Sequence, residues 1–175
     1  VIDEGSAAFI ACSPFFVLAT TSAEGTDASP RGGPPGFVTV LDPTHLAFGD
    51  LAGNNRLDSY TNIVEHGEVG LLFMVPGRGE TLRVNGRAEI SQDPALLTPL
   101  TVQNVTPTIG IKVHVEECYF HCGKALMRSK LWNPETHVER HSFPTLGRII
   151  AEQTAAIAVD VAEKTMEEAY RTRLY

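Results

Sequence analysis

Residues 69–75 read VGLLFMV, residues 76–79 PGRG and residues 81–90 TLRVNGRAEI, and this stretch decides the fold. Two β-type runs flank a Pro-Gly-x-Gly turn, the pattern of a hairpin. In the second run Leu82 and Val84 alternate with Arg83, so one face is apolar and the other polar. Arg83 and Arg87 then share a solvent-facing side of a sheet. Gly77-Arg78-Gly79 lacks a third glycine and enters no helix, so it is a turn and not a dinucleotide fingerprint.

Working outward, further strands are expected at Phe15–Thr21, Asp27–Arg31, Phe37–Leu41, His45–Phe48 and Ile111–His121. Gly32-Gly33-Pro34-Pro35-Gly36 interrupts the ladder, because proline cannot donate and glycine bends freely. Arg56–His66 has helical spacing, with Leu57, Tyr60 and Ile63/Val64 on one stripe and Gly67 as the stop. Pro94–Val105 reads as a short helix and Gly123–Leu131 as a helix or turn. The tail from Thr145 to Arg173 reads as one or two helices broken near Val159. Many β elements with helices inserted and appended predict a mainly β fold with added helices, an antiparallel barrel, in a single domain with a helical extension over 145–175.

The 175 residues are 43% hydrophobic and 20% charged, which suits a globular chain with one substantial core. A net charge of −7 argues against broad nucleic-acid binding. No apolar run approaches the ~20 residues of a membrane helix. Three cysteines make no even disulfide framework and no secretory signal is visible, so the cytoplasm is expected.

Two segments carry candidate chemistry. Gly53-Asn54-Asn55-Arg56-Leu57-Asp58-Ser59 places an arginine and a hydroxyl at a helix entrance, where unpaired N–H groups and the helix dipole favour phosphate. Asn55 with Asp58 also reads as ordinary capping, and Asn54 and Asn55 suit that role better than a ligand's. The second segment, residues 121–132 (HCGKALMRSKLW), clusters three cations, a hydroxyl and the sole tryptophan after a strand. A solvated basic helix face explains it equally well. Arg31 ends a β run beside glycines that let a ligand approach the backbone. No metal site is expected. On one strand Cys118 and Cys122 face away from His121, and His137 and His141 read as solvated. There is no nucleophile elbow, so acyl transfer has no support.

Taken in order, RGGPPGF, GNNRLDS, PGRGETLRVNGRAEI and YFHCGKALMRSKLW resemble the pyridoxamine 5′-phosphate oxidase-related FMN-binding split-barrel family, and within it a bacterial subgroup of FMN-dependent enzymes whose reaction is undefined. The likeness covers roughly Phe15 to Pro134. It implies a split β-barrel of antiparallel Greek-key type, forming a homodimer with FMN at the subunit interface and a small-molecule substrate. By resemblance, Arg31, Arg56 and Ser59 hold the flavin phosphate. Thr81, with Leu82 adjacent, falls where the family meets the flavin ring. Lys124, Arg128, Ser129 and Trp132 match a late motif, some of which reaches FMN from the second subunit. The ending EEAYRTRLY departs from the arginine-rich substrate segment of true pyridoxamine phosphate oxidases, which puts that vitamin-oxidase activity in doubt. The resemblance leaves two functions open: an FMN-dependent oxidoreductase, or a flavin-binding or sensing module without turnover. A deazaflavin or haem in the same barrel is a third, weaker idea.

Overall fold

The structure is a computed structural model that describes residues 1–51, 53, 56–139, 142–154 and 157–172. The capping role expected of Asn54 and Asn55, and the solvated role expected of His141, lie outside the described residues. The chain forms two compact units: residues 1–50 with 56–132, and residues 51–55 with 133–175.

The first unit is built on one seven-stranded sheet, all of whose pairings are antiparallel. Its strands are β1 (Phe15–Ser22), β2 (Gly25–Gly32), β3 (Val38–Asp42), β4 (His45–Gly49), β5 (Glu68–Met74), β6 (Thr81–Ser91) and β7 (Gly110–His121). The spatial order is β2-β1-β5-β6-β7-β4-β3. β5, β6 and β7 form a meander, and the chain enters it by crossing over from β4, which lies beside β7; this is a Greek-key arrangement. The crossover carries helix α2 (Asp58–Glu65). The predicted strands and the Pro76–Gly79 turn are all present, and Gly77 takes the left-handed φ of +83° that the turn requires.

Alternation decides what is buried. Leu82, Val84 and Ala88 of β6 and Ile111, Val113 and Val115 of β7 point into the core, while Arg83 and Arg87 are exposed as their spacing predicts. Phe16 stands at the centre with no exposed surface. Its ring centroid lies 5.0 Å from those of both Phe48 and Phe73. These three phenyl rings meet edge-on or tilted, the arrangement that aromatic quadrupoles favour.

Three local outcomes differ from the sequence reading. Helix α1 (Glu4–Cys12), capped by Asp3 accepting from Ser6 N at 2.7 Å, has no amphipathic stripe to announce it. Helix α3 covers only Pro94–Leu97 before a 3₁₀ turn at Thr98–Leu100, in place of a helix to Val105. In α2 the buried residues are Ser59, Asn62 and Ile63, whereas Leu57 and Val64 are exposed. A polar stripe was buried because it meets polar partners: Asn62 Nδ2 donates to Thr20 Oγ1 at 2.9 Å.

The second unit holds α5 (Leu146–Thr154) and α6 (Val159–Thr172), the two helices expected in the tail. Gly147 lets them touch: a Cβ there would lie 2.7 Å from the Glu163 backbone nitrogen.

The β6–β7 ladder slips by one residue between Asn85 and Gly86. A Cβ on Gly86 would sit 2.0 Å from the His114 carbonyl oxygen. Gly86→Ala must therefore push β7 away from β6, and should lower stability by about 1–3 kcal/mol in urea denaturation.

Candidate functional site

Period-two alternation along β2 puts Asp27, Ser29 and Arg31 on one half-buried face, with Thr26, Ala28, Pro30 and Gly32 exposed. Helix α2 docks its first turn onto that face. Ser59 Oγ donates to Asp27 Oδ2 at 3.0 Å and lies 3.1 Å from Ser29 Oγ. The Arg31 guanidinium donates to Tyr60 Oη at 3.2 Å and lies 5.3 Å from the centre of the Tyr60 ring. Tyr60 in turn donates a short hydrogen bond to Asp50. Of the three residues that the resemblance groups, Arg31 and Ser59 both lie at this helix entrance.

Two features leave this entrance hungry for an acceptor. Arg31 Nε is buried and has no hydrogen-bond partner. The N-cap position is Leu57, and no side chain caps α2. The first N–H groups of a helix have no partner inside it, and its dipole adds a partial positive charge there. A buried donor left unpaired costs about 1–3 kcal/mol, which an anion accepting from Nε would recover.

Arg56 stands apart from this group. It precedes the helix, pairs with Asp58 at 2.8 Å and has a side chain 74% exposed. It lines a cleft of about 610 Å³ together with the carboxylates Glu24, Asp27, Asp58 and Glu65. That cleft is predominantly acidic.

The second group gathers at the start of β6. Thr81 is the strand partner of His121, and Met74 flanks it on the other side. Gly79 and Gly123 touch, a Cβ on Gly123 reaching the Gly79 carbonyl carbon at 3.0 Å, so the hairpin turn sits on the segment that follows β7. Lys124, Arg128 and Ser129 lie on the short helix α4 (Lys124–Ser129), which buries none of its residues. Ser129 Oγ donates to Leu126 O, and Trp132 Nε1 donates to Arg78 O at 2.7 Å. Leu82 is fully buried, so its side chain belongs to the core and offers nothing to a ligand.

The two groups lie at the same end of the strands. One row runs Gly32, Phe15, Met74, Thr81, His121 across β2, β1, β5, β6 and β7. Three interstrand steps separate β2 from β6, about 14 Å. Arg31 is half-buried on the core-facing side and Thr81 on the other.

Sequence reasoning missed Asp27, Ser29, Asp50 and Tyr60, and it weighed His121 only as a metal ligand. The alternation of β2 would have placed Asp27 and Ser29 beside Arg31. Tyr60 was assigned to an apolar stripe, and Asp50 has no pattern. His121 Nε2 is buried and unpartnered, a property that only coordinates reveal.

A family model described as "Pyridoxamine 5'-phosphate oxidase" matches residues 2–122. The chain belongs to the pyridoxamine 5′-phosphate oxidase family, and its fold is that family's split barrel. Among solved structures it is similar to HupZ of Group A Streptococcus, with 18% identity and a TM-score of 0.55 over 69% of this chain and 94% of that one. It is similar to a candidate pyridoxamine 5′-phosphate oxidase of Lactobacillus delbrueckii, with 25% identity and a TM-score of 0.51 over 67% and 92%. A third is an FMN-binding protein of Syntrophomonas wolfei, with 10% identity and a TM-score of 0.52 over 68% and 84%. A search of curated protein sequences gave no significant match.

Burial and the hydrogen bond to Asp50 push the Tyr60 phenol up to about 12, against the pull of Arg31. The fold favours the neutral phenol, so this stabilisation is full below the ordinary tyrosine value near 10 and is lost as pH rises through about 12. Spectrophotometric titration should show one tyrosinate forming near pH 12, and Tyr60→Phe should remove that component.

Proposed function

We propose that this protein binds FMN with its phosphate at the entrance of α2, and that it works as an FMN-dependent oxidoreductase on a small molecule. The observation that carries the reading is the buried, unpartnered Nε of Arg31 against the first turn of α2. Family membership and the similarity to an FMN-binding protein support flavin as the ligand class. Arg31 would balance the phosphate charge, and the Ser29 and Ser59 hydroxyls would donate to its oxygens. Bound FMN would supply hydride or electron transfer; the chain's part is binding, orientation and electrostatics.

Asp27, Asp50 and Asp58 would set the strength of this site. They hold Ser59, Tyr60 and Arg56 respectively. An entering phosphate must compete with Asp27 for Ser59, and the like charges repel. Arg56 contributes through the field at the entrance while paired with Asp58. Thr81, Lys124, Arg128, Ser129 and Trp132 form the second half of the site, with the late-motif residues acting across a homodimer interface in a cytoplasmic protein. Among the described residues no helix is long and apolar enough to cross a membrane.

The purified protein should be yellow, with flavin absorbance that bleaches under reductant. A colourless protein that takes up no added FMN would sink the reading, and a deazaflavin or haem spectrum would replace the cofactor. Arg31→Ala should weaken FMN binding by about 1.5–3 kcal/mol, tenfold or more in Kd. Asp27→Asn should tighten it severalfold. Steady turnover with nicotinamide donors and common electron acceptors would support the enzyme; stable flavin binding without any turnover would assign a binding module.

A further inference from the structure

On the outer face of the sheet, three side chains form a chain of polar contacts. His45 opens β4 and His114 lies directly opposite it on β7. His45 Nε2 and His114 Nδ1 are 3.2 Å apart. Behind His45, the Asp42 carboxylate lies 2.9 and 3.0 Å from Nδ1. The tight β3–β4 turn pins that carboxylate, because Thr44 N and Thr44 Oγ1 donate to Asp42 Oδ1 at 2.7 and 2.8 Å.

This arrangement fixes the chemistry of His45. A carboxylate accepting from Nδ1–H holds the tautomer whose Nε2 carries the lone pair. That lone pair is turned to the nitrogen of a second imidazole. We infer that Asp42, His45 and His114 form a binding site for a late first-row divalent metal ion, with His45 Nε2 and His114 Nδ1 as its ligands and Asp42 orienting His45.

The bite is right for such an ion. Two nitrogens 3.2 Å apart, each about 2.0–2.1 Å from one metal, subtend about 103°, near the tetrahedral angle. For the metal to enter, the proton between the two rings moves to His114 Nε2, so that His45 Nε2 and His114 Nδ1 both offer lone pairs. Paired imidazoles select zinc, copper or nickel over magnesium or calcium, which prefer oxygen. An outer carboxylate on a ligating histidine is the usual companion of these metals, and raises the basicity of the ring.

The charges facing the pair permit a cation. Arg87 and Lys112 lie beside it on β6 and β7, and each has its own carboxylate, Glu68 at 3.4 Å and Glu89 at 3.5 Å. Glu89, Arg87 and Lys112 border the same cleft of about 320 Å³ as the two histidines. With Asp42 counted, the carboxylates outnumber the two cations by one. Among the described residues no group of three or more His, Cys, Asp or Glu is placed to hold a metal ion, so the remaining positions fall to solvent or a small ligand in the cleft.

The test uses the full chain, freed of metal. Calorimetry with zinc chloride should give one ion per chain, and His45→Ala or His114→Ala should each abolish it. Asp42→Asn should weaken it 10–100-fold, while His137→Ala leaves it unchanged. FMN uptake should be the same in all four variants, which separates this site from the flavin reading. Should a variant fail to fold, copper-loaded unmodified protein decides: its electron paramagnetic resonance spectrum should show coupling to two imidazole nitrogens. Unaltered zinc affinity in both alanine variants, or copper coupled to fewer than two nitrogens, overturns the site.

Discussion

Everything of interest in the first unit hangs on the β6–β7 ladder. It runs from Thr81–His121 at one end to Ser91–Gly110 at the other, in the middle of the sheet. The bulge within it changes the phase of β7: Val113 and Val115 face the core on one side, and Phe120 pairs with the buried Leu82 on the other. The extra residue puts Val115 before it and Phe120 after it on the same face, although Phe120 itself is 46% exposed. Gly86 allows the slip, since no Cβ fits beside the His114 carbonyl. The same ladder carries Thr81 and His121 at one end and sets His114 opposite Arg87 further along, and the β4–β7 ladder sets His114 opposite His45.

The anion-type site obeys a second constraint, charge balance inside an acidic protein. With a net charge of −7, a cation near a cleft is met by carboxylates before any ligand arrives. Arg56 and Asp58 are exposed, so their pairing contributes little stability. Arg31 is different. Its side chain runs under α2, its guanidinium stacks near Tyr60, and its Nε faces no acceptor. The entrance of α2 therefore keeps a buried donor, Arg31 Nε, and an uncapped first turn side by side.

Much of this was legible in the chain. The hairpin of residues 69–90 announced itself through alternation and a glycine turn; of Arg31, Arg56 and Ser59, which the resemblance groups, the structure places Arg31 and Ser59 at the entrance of α2 and leaves Arg56 paired with Asp58. The failures have physical causes. The buried stripe of α2 is polar, so a search for apolar periodicity chose Leu57 and Val64, both exposed in the structure. Helix α1 has no stripe to find. Leu82 sits next to Thr81 in sequence, but alternation sends it into the core. His45 and His114 lie 69 residues apart, and only strand pairing reveals them as neighbours.

The proposed phosphate entrance and the histidine pair lie on opposite faces of the sheet, while Thr81 shares the outer face with the histidines. Arg31 extends from the side that packs on α2 and the core, while His45, His114 and Arg87 extend from the side facing away. A β-strand makes this separation automatic, because adjacent residues point in opposite directions. An ion at the histidine pair would add charge about four strands from β2, with the aromatic core of Phe16, Phe48 and Phe73 between. Loading one site need not disturb the other's contacts. On the two proposals made above, a phosphate-bearing ligand and a metal ion would bind as separate events, joined only through the stability that each lends the shared sheet.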